Sequence, residues 1–217
     1  MKHPAPIIHV VTFLLCLAFG LGVPGSAYAQ VPYQVAPGGA SSMRISGTST
    51  LHPWTMESTT VAGTAELLFA SGSDGDWQGL KSLTFALPVR SLKSNHKGLD
   101  NNAYEALRAD QHPSIHYRLS SATCEDRPGG YLLRTRGQLT VAGTTRDIAM
   151  EVLVDIKPDK SISCKGSYTL NMQDYGVTPP SFMLGVMKTG EIITLDFDVA
   201  YLRAAKVRDA ATSLKNN

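Results

Sequence analysis

Apolar and polar residues alternate along most of the chain between residues 42 and 202. The clearest segment runs from Asp147 to Ile156, and the pattern returns from Ile193 to Tyr201. Strict alternation predicts strands with one buried face and one face in water, which is typical of antiparallel rather than parallel sheets. The apolar positions of these two segments are Ile148, Met150, Val152, Val154, Ile156, Ile193, Leu195, Phe197, Val199 and Tyr201.

Turn-forming residues separate about eight such segments at short spacing. Examples are the Arg-Pro-Gly-Gly run at 127–130 and the Ala-Gly-Thr-Thr run at 142–145. Because every segment has an apolar face, and because closing a sheet removes its exposed edges, we predict an all-β chain folded as one antiparallel barrel.

One segment, Gly98 to Asp110, departs from the alternation. Its apolar residues fall at helical spacing, Asp100 suits an N-cap, and Pro113 follows the segment. This pattern predicts a single short helix that crosses between two strands.

The first residues are typical of a secretory leader. A charged start, an apolar run and the Ala-Tyr-Ala triplet ending at Ala29 predict a signal peptide over residues 1–29, cleaved near Ala29. We expect a periplasmic or secreted protein without stable membrane insertion after cleavage. Residues 30–41 are rich in Pro, Gly and Ser and predict a flexible linker. Residues 42–202 then form the barrel, and residues 203–217 form a C-terminal tail.

Charge and composition limit the classes of binding partner that we expect. Lys and Arg number 20 against 18 Asp and Glu, a balance that gives no indication of nucleic-acid binding. No residue pattern calls for a cofactor. A homodimer is left open.

Two cysteines, Cys124 and Cys164, lie in the barrel region. An oxidising compartment would allow a disulfide. Strict alternation places Cys164 on the inward face and Cys124 on the outward face, which argues against a bond. A disulfide and a pair of free thiols both remain open.

The stretch from Gly47 to Ser58 contains His52 and Trp54 around a proline. A metal site needs several converging donors and a catalytic base needs an adjacent nucleophile or acid, and neither is visible around His52. No Gly-x-Ser-x-Gly motif is present. We therefore interpret His52 as a rim or turn residue that holds Trp54 at the barrel end, with no catalytic residue and no metal site.

The inward face is the stronger candidate for function. An eight-stranded barrel is either packed solid or holds one small ligand, and both readings stay open from the residues alone. The Met-containing run Ser181 to Lys188 is either a strand or plug packed under the barrel or an apolar lip at the entrance, and both stay open. The candidate ligand-binding residues of the lumen and rim are Trp54, Phe69, Phe85, Tyr117, Leu119, Met150, Val152, Tyr168, Phe182, Met183, Leu195, Phe197 and His52.

Several short motifs occur in a recognisable order. They are Gly47–Thr55 (GTSTLHPWT), Ser91–Ser94 (SLKS), His112–Tyr117 (HPSIHY), Gly137–Thr145 (GQLTVAGTT) and Asp174–Val177 (DYGV). Their order and spacing resemble the YceI-like family over Ser42 to about Leu202. The resemblance implies a lipocalin-like barrel whose lumen holds a polyisoprenoid or another long apolar chain, such as a quinone tail.

These observations lead to a main hypothesis and two alternatives. The main hypothesis is an exported, non-catalytic protein that binds a long apolar chain in its barrel. One alternative is a solid barrel that acts as a protein-interaction or stress-response module. The other is an enzyme with a rim site near His52.

Overall fold

The computed structural model describes residues 28–70, 77–182 and 187–204. Within these ranges the chain forms eleven β-strands and one α-helix, α1, which spans Lys97–Ala106. The strands are β1 Tyr28–Val35, β2 Ser42–Ser49, β3 Trp54–Ser58, β4 Ala62–Ala70, β5 Trp77–Pro88, β6 Ser114–Arg127, β7 Gly130–Val141, β8 Thr144–Ile156, β9 Ile162–Asn171, β10 Ser181–Phe182 and β11 Met187–Arg203.

Eight of these strands form a closed antiparallel ring. The order around the ring is β1, β4, β5, β6, β7, β8, β9 and β11, and β11 pairs back onto β1. The hairpin of β2 and β3 also belongs to the sheet. β2 pairs with residues 189–198 of β11, on the same edge of β11 to which β1 pairs at residues 201–203. The predicted all-β barrel of about eight strands with one short helix is confirmed.

The strand that closes the ring lies where the sequence predicted a linker. β1 pairs with β4 along Tyr28 to Gln34 and with β11 from Tyr33 to Val35. The flexible linker predicted for residues 30–41 is therefore wrong for its first half. Pro32 is compatible with the strand because one edge of β1 is unpaired before Tyr33. Residues 1–27 of the leader predicted for residues 1–29 lie outside the described residues, whereas Tyr28 and Ala29 begin β1. The predicted tail beyond residue 204 also lies outside the described residues.

Helix α1 lies in the crossover between β5 and β6, as predicted, but its first turn differs. His96 occupies the N-cap position, and Asp100 lies inside the first turn. The Asp100 carboxylate accepts hydrogen bonds from the backbone N–H of Ser94, at 2.7 Å, and from its hydroxyl, at 2.8 Å. Asp100 therefore ties the preceding loop to the helix. No helix among the described residues is long and apolar enough to cross a membrane.

A bulge in β6 changes which side chains face inward. Leu119 pairs with Gly137 and Ser121 pairs with Arg136, so that Ser120 is an extra residue in the strand. Before the bulge the odd-numbered residues face inward, and after it the even-numbered ones do. The bulge therefore reverses the parity that the sequence predicted for the second half of β6.

The apolar core is divided between the two ends of the barrel. At one end α1 and the β2–β3 hairpin cover a buried cluster that includes Ile45, Leu92 and Tyr104. At the other end Tyr33, Trp77 and Tyr201 belong to a second buried cluster. The Trp77 and Tyr131 rings meet edge to face there, with centroids 4.8 Å apart. Both ends are thus packed, and the space between them lies inside the ring.

Candidate functional site

The interior of the barrel contains a cavity between the two packed ends. The space open to the centre of a water-sized sphere is about 120 Å³, and the whole empty volume, with the part open to solvent, is about 1070 Å³. Among the described residues that line it, none is an Asp, Glu, Lys, Arg or His. A cavity with so few polar groups favours an apolar occupant over water.

Most of the side chains predicted from sequence to line the lumen do line this cavity. They are Phe85, Tyr117, Leu119, Met150, Val152, Tyr168, Leu195 and Phe197. Phe69 is buried in the core at the end opposite α1 and does not line the cavity. Phe182 belongs to β10, but its side chain is not described, and Met183 lies outside the described residues.

Other lining residues were missed or were not singled out. Leu83, Ile115, Leu133 and Ile148 follow the alternation and could have been chosen from it. Leu80 could not, because the pairing of β4 with β5 shifts register at this point. The further lining residues are Met43, Ala65, Leu67, Leu87, Thr135, Leu139, Val154, Ile162, Cys164, Val199 and Tyr201.

Two glycines leave room inside the barrel. A methyl group placed on Gly137 would lie 2.5 Å from the Tyr117 hydroxyl oxygen, and one placed on Gly166 would lie 2.5 Å from Cζ of Phe197. Both rings therefore lie close against the wall, where a larger wall residue would push them toward the lumen.

A second apolar cavity, of about 80 Å³, lies beneath α1. Ala103, Ala106 and Trp54 line it, and Ile115 and Leu195 line both this cavity and the lumen. These two shared side chains form the wall between the cavities. A long chain that moved them aside would have an apolar path from the lumen to the underside of α1.

Trp54 and His52 have structural positions that explain the motif around them. The indole packs over Gly47, where a methyl group would lie 2.5 Å from its Cζ2, and its Nε1 donates to the Thr48 carbonyl at 3.1 Å. His52 is exposed, and its Nδ1 lies 2.8 Å from the Pro53 carbonyl oxygen. The Ser49 hydroxyl donates to the His52 carbonyl at 2.7 Å. His52 thus belongs to the turn, and it does not line either cavity.

The barrel wall is incomplete between β8 and β9. These strands pair only from Val152 opposite Gly166 to Ile156 opposite Ile162. Beyond this paired part, residues 149–151 of β8 and residues 167–169 of β9 line a surface groove. We call this gap the β8–β9 slot. Three side chains line both the groove and the lumen: Thr135, Met150 and Tyr168.

Cys124 and Cys164 are free thiols. Cys124 is half-buried against the core at the end opposite α1, because the β6 bulge turns it inward, so its predicted outward position is wrong. Cys164 is on β9, with β7 and β8 between it and Cys124. Three strand spacings amount to about 14 Å along the wall, which is beyond the reach of a disulfide. The disulfide that the sequence left open is excluded in this structure.

The ionisable groups that face the interior are held neutral. Burial raises the pKa of the Cys164 thiol to about 12, with a smaller contribution from Asp198. Burial also raises the pKa of Tyr201, and the pKa of Tyr175 to about 12. Among the described residues, no three His, Cys, Asp or Glu side chains are grouped so that they could hold a metal ion. The lumen therefore offers shape and apolar surface, with hydroxyl and thiol groups as its polar atoms.

Comparisons with known proteins agree with this architecture. The structure is similar to that of BcnA from Burkholderia cenocepacia, with a TM-score of 0.56 and 13% identity over 74% of this chain and 95% of that one. It is also similar to a polyisoprenoid-binding domain from Saccharophagus degradans implicated in plant cell wall breakdown. That match has a TM-score of 0.58 and 12% identity, and covers 80% of this chain and 99% of the domain.

At these identities the structural matches establish a shared fold. A search of curated proteins gave no match. The model of the YceI-like domain matches residues 33–201, which includes the closing strand from Tyr33 and nearly the whole of β11. The chain therefore belongs to the YceI-like family.

Proposed function

We propose that this protein is an exported, non-catalytic carrier that holds a polyisoprenoid, or a similar long apolar chain such as a quinone tail, inside its barrel. The observation that carries the proposal is the interior cavity lined by apolar side chains, with a second apolar cavity adjoining it under α1. The polyisoprenoid-binding domain with the same fold supports the choice of ligand class.

Burial of apolar surface provides enough free energy for such a complex. A chain of several isoprene units buries several hundred Å², and at about 25 cal/mol per Å² this amounts to roughly 10 kcal/mol. Association costs about 4 kcal/mol or more in lost freedom, so a stable complex needs most of this buried area. The fixed apolar walls discriminate weakly between chains that differ by one methylene, by about 1–3 kcal/mol.

The chemistry of the lining supports a carrier rather than an enzyme. The Cys164 thiol has a pKa of about 12, so it is not a thiolate nucleophile near neutral pH. In the part of the chain that the structure describes, no histidine or carboxylate lines the lumen to act as a general acid or base.

The test is to purify the full chain from its own host and to measure its mass by native mass spectrometry. We expect a mass increment that organic extraction removes and identifies as a prenyl lipid. Protein that is bare, and that also fails to take up an added polyprenol, would contradict the proposal and favour a solid interaction module. Amino-terminal sequencing of the protein from a periplasmic fraction tests export and the cleavage site.

Two neighbouring residues offer a matched pair of variants. Met150→Trp places a large ring on the lumen side of β8, whereas Ala149→Trp places the same ring on the exposed side. We expect Met150→Trp to lose most of its bound lipid and Ala149→Trp to keep it, with both proteins folded by circular dichroism. Equal lipid content in the two variants would place the lipid outside the lumen.

A further inference from the structure

One polar atom in the largely apolar lumen has no hydrogen-bond partner. Tyr117 is 7% exposed and lines the cavity. Its hydroxyl is buried and makes no hydrogen bond. No other buried side-chain oxygen or nitrogen of the described residues lacks a hydrogen-bond partner. A buried hydroxyl without a partner costs about 1–3 kcal/mol, and phenylalanine would fill the same space without this cost.

The fold holds the Tyr117 hydroxyl in a defined position. The ring lies against Gly137, and a methyl group there would be 2.5 Å from both Cζ and the hydroxyl oxygen. Thr135, the next inward residue of β7, is buried and already donates its hydroxyl proton to the Met150 carbonyl at 3.0 Å. The Thr135 oxygen still has lone pairs that can accept a hydrogen bond, and while burial raises the pKa of Tyr117 the nearby Thr135 hydroxyl lowers it. No hydrogen bond of normal geometry joins the two hydroxyls, so the Tyr117 hydroxyl is open to a better-placed acceptor in the lumen.

We propose that the bound lipid carries a neutral oxygen atom, such as a prenol hydroxyl or a quinone carbonyl, that accepts a hydrogen bond from the Tyr117 hydroxyl inside the barrel. The inference rests on the proposed function and adds the head group and its location. A charged head group such as a diphosphate does not suit this position, because none of the described residues that line the lumen is a Lys, Arg or His and an unpaired charge is costly to bury.

The geometry also gives the bound chain a direction. Ile115, which separates the lumen from the cavity under α1, precedes Tyr117 by two residues on β6, or about 7 Å along the strand. On the other side, Thr135 lies at the β8–β9 slot. The oxygenated head group thus lies at the middle of the barrel, near the slot, and the apolar tail runs past Ile115 toward α1.

The experiment compares Tyr117→Phe with the control Tyr131→Phe, which removes a hydroxyl from a half-buried side chain that does not line the cavity. Each protein is titrated with a polyprenol, with a quinone on the same prenyl chain, and with the matching hydrocarbon in which hydrogen replaces the head group. We expect Tyr117→Phe to bind the polyprenol or the quinone about five- to tenfold more weakly and the hydrocarbon unchanged. The oxygenated ligand that shows the loss identifies the head group.

Three results would overturn the inference. The first is an equal loss for the hydrocarbon, which would mean that the hydroxyl shapes the cavity. The second is no change for either oxygenated ligand, which would mean that water or nothing meets the hydroxyl. The third is a marked fall in the unfolding midpoint of lipid-free Tyr117→Phe, which would mean that the hydroxyl has a structural partner.

The same titration separates this inference from the proposed function. If the wild-type protein binds the hydrocarbon and the oxygenated ligands equally well, the carrier proposal holds and the head-group inference is wrong. If it binds none of them, the carrier proposal fails and the head-group inference fails with it.

Discussion

At Gly137 and Gly166, the absence of a side chain lets an aromatic ring from a neighbouring strand lie against the barrel wall. Each glycine is part of the ordinary inward alternation of its strand and has no positive φ, so a turn does not explain it. The sequence showed large and small residues mixed on the inward face, but it did not show which ring each glycine accommodates. That pairing depends on strand register, since Gly166 lies directly opposite Phe197.

Gly166→Ala should therefore reduce the space in the lumen. The added methyl group would meet the Phe197 ring at 2.5 Å and the Glu151 carbonyl oxygen at 3.0 Å. We expect a loss of about 1–3 kcal/mol in unfolding free energy and weaker binding of a polyprenol. Denaturant unfolding and a binding titration measure the two effects.

The control for this variant is Gly98→Ala in α1, where no atom lies within 4 Å of the added methyl group. Alanine favours the helix, so stability should rise by about 0.5–1 kcal/mol or stay unchanged. Binding by Gly166→Ala that equals that of Gly98→Ala would show that the Phe197 ring does not limit the lumen.

At the scale of elements, hydrophobic alternation was sufficient to predict most of the barrel and most of its lining. The prediction failed where a local irregularity interrupted the alternation. Ser120 is an extra residue in β6, and without the partner strand a bulge of one residue cannot be told from regular alternation. β1 was missed because Pro32 and the residues after it are typical of a linker, although Val31, Tyr33 and Val35 alternate. The β8–β9 slot and the cavity under α1 depend on tertiary packing and have no local signal.

Tyr33 tests the importance of the closing strand. It is 1% exposed, and its hydroxyl donates to the Lys160 carbonyl at 3.1 Å. Tyr33→Ala should cost about 3–5 kcal/mol of unfolding free energy, because it leaves a large cavity where β1 meets β11. Tyr33→Phe, which keeps the ring, should cost about 1 kcal/mol. Urea unfolding of the two variants measures the difference; a small effect of Tyr33→Ala would mean that β1 is not needed to keep the barrel closed.

At the scale of the whole molecule, the buried ionisable groups make the stability of the fold decrease at alkaline pH. The pKa values of Cys164 and Tyr175 in the folded protein are about 12, against ordinary values of 9.0 and 10.0. The folded state therefore keeps protons that the unfolded state releases. Since these pKa values are raised, the stabilisation is complete below about pH 9 and is lost as the pH rises toward 12.

We expect the urea midpoint to stay level near pH 8 and to fall between pH 9 and 12. Cys164→Ala should weaken the first part of this decline, between the ordinary pKa values of the thiol and the phenol. A midpoint that does not change up to pH 11 would show that these groups are not buried in the folded protein.

The ring joins β1 to β11, with Tyr33 opposite Arg203. The two ends of this contact are separated by almost the full length of the described chain, and contacts between residues this far apart in sequence are typical of slow-folding proteins. The ribosome releases the amino-terminal end first. The barrel of each newly made molecule therefore stays open, with its apolar interior uncovered, until β11 has emerged. Until then the apolar interior is exposed to water, which makes the unfinished molecule prone to aggregation.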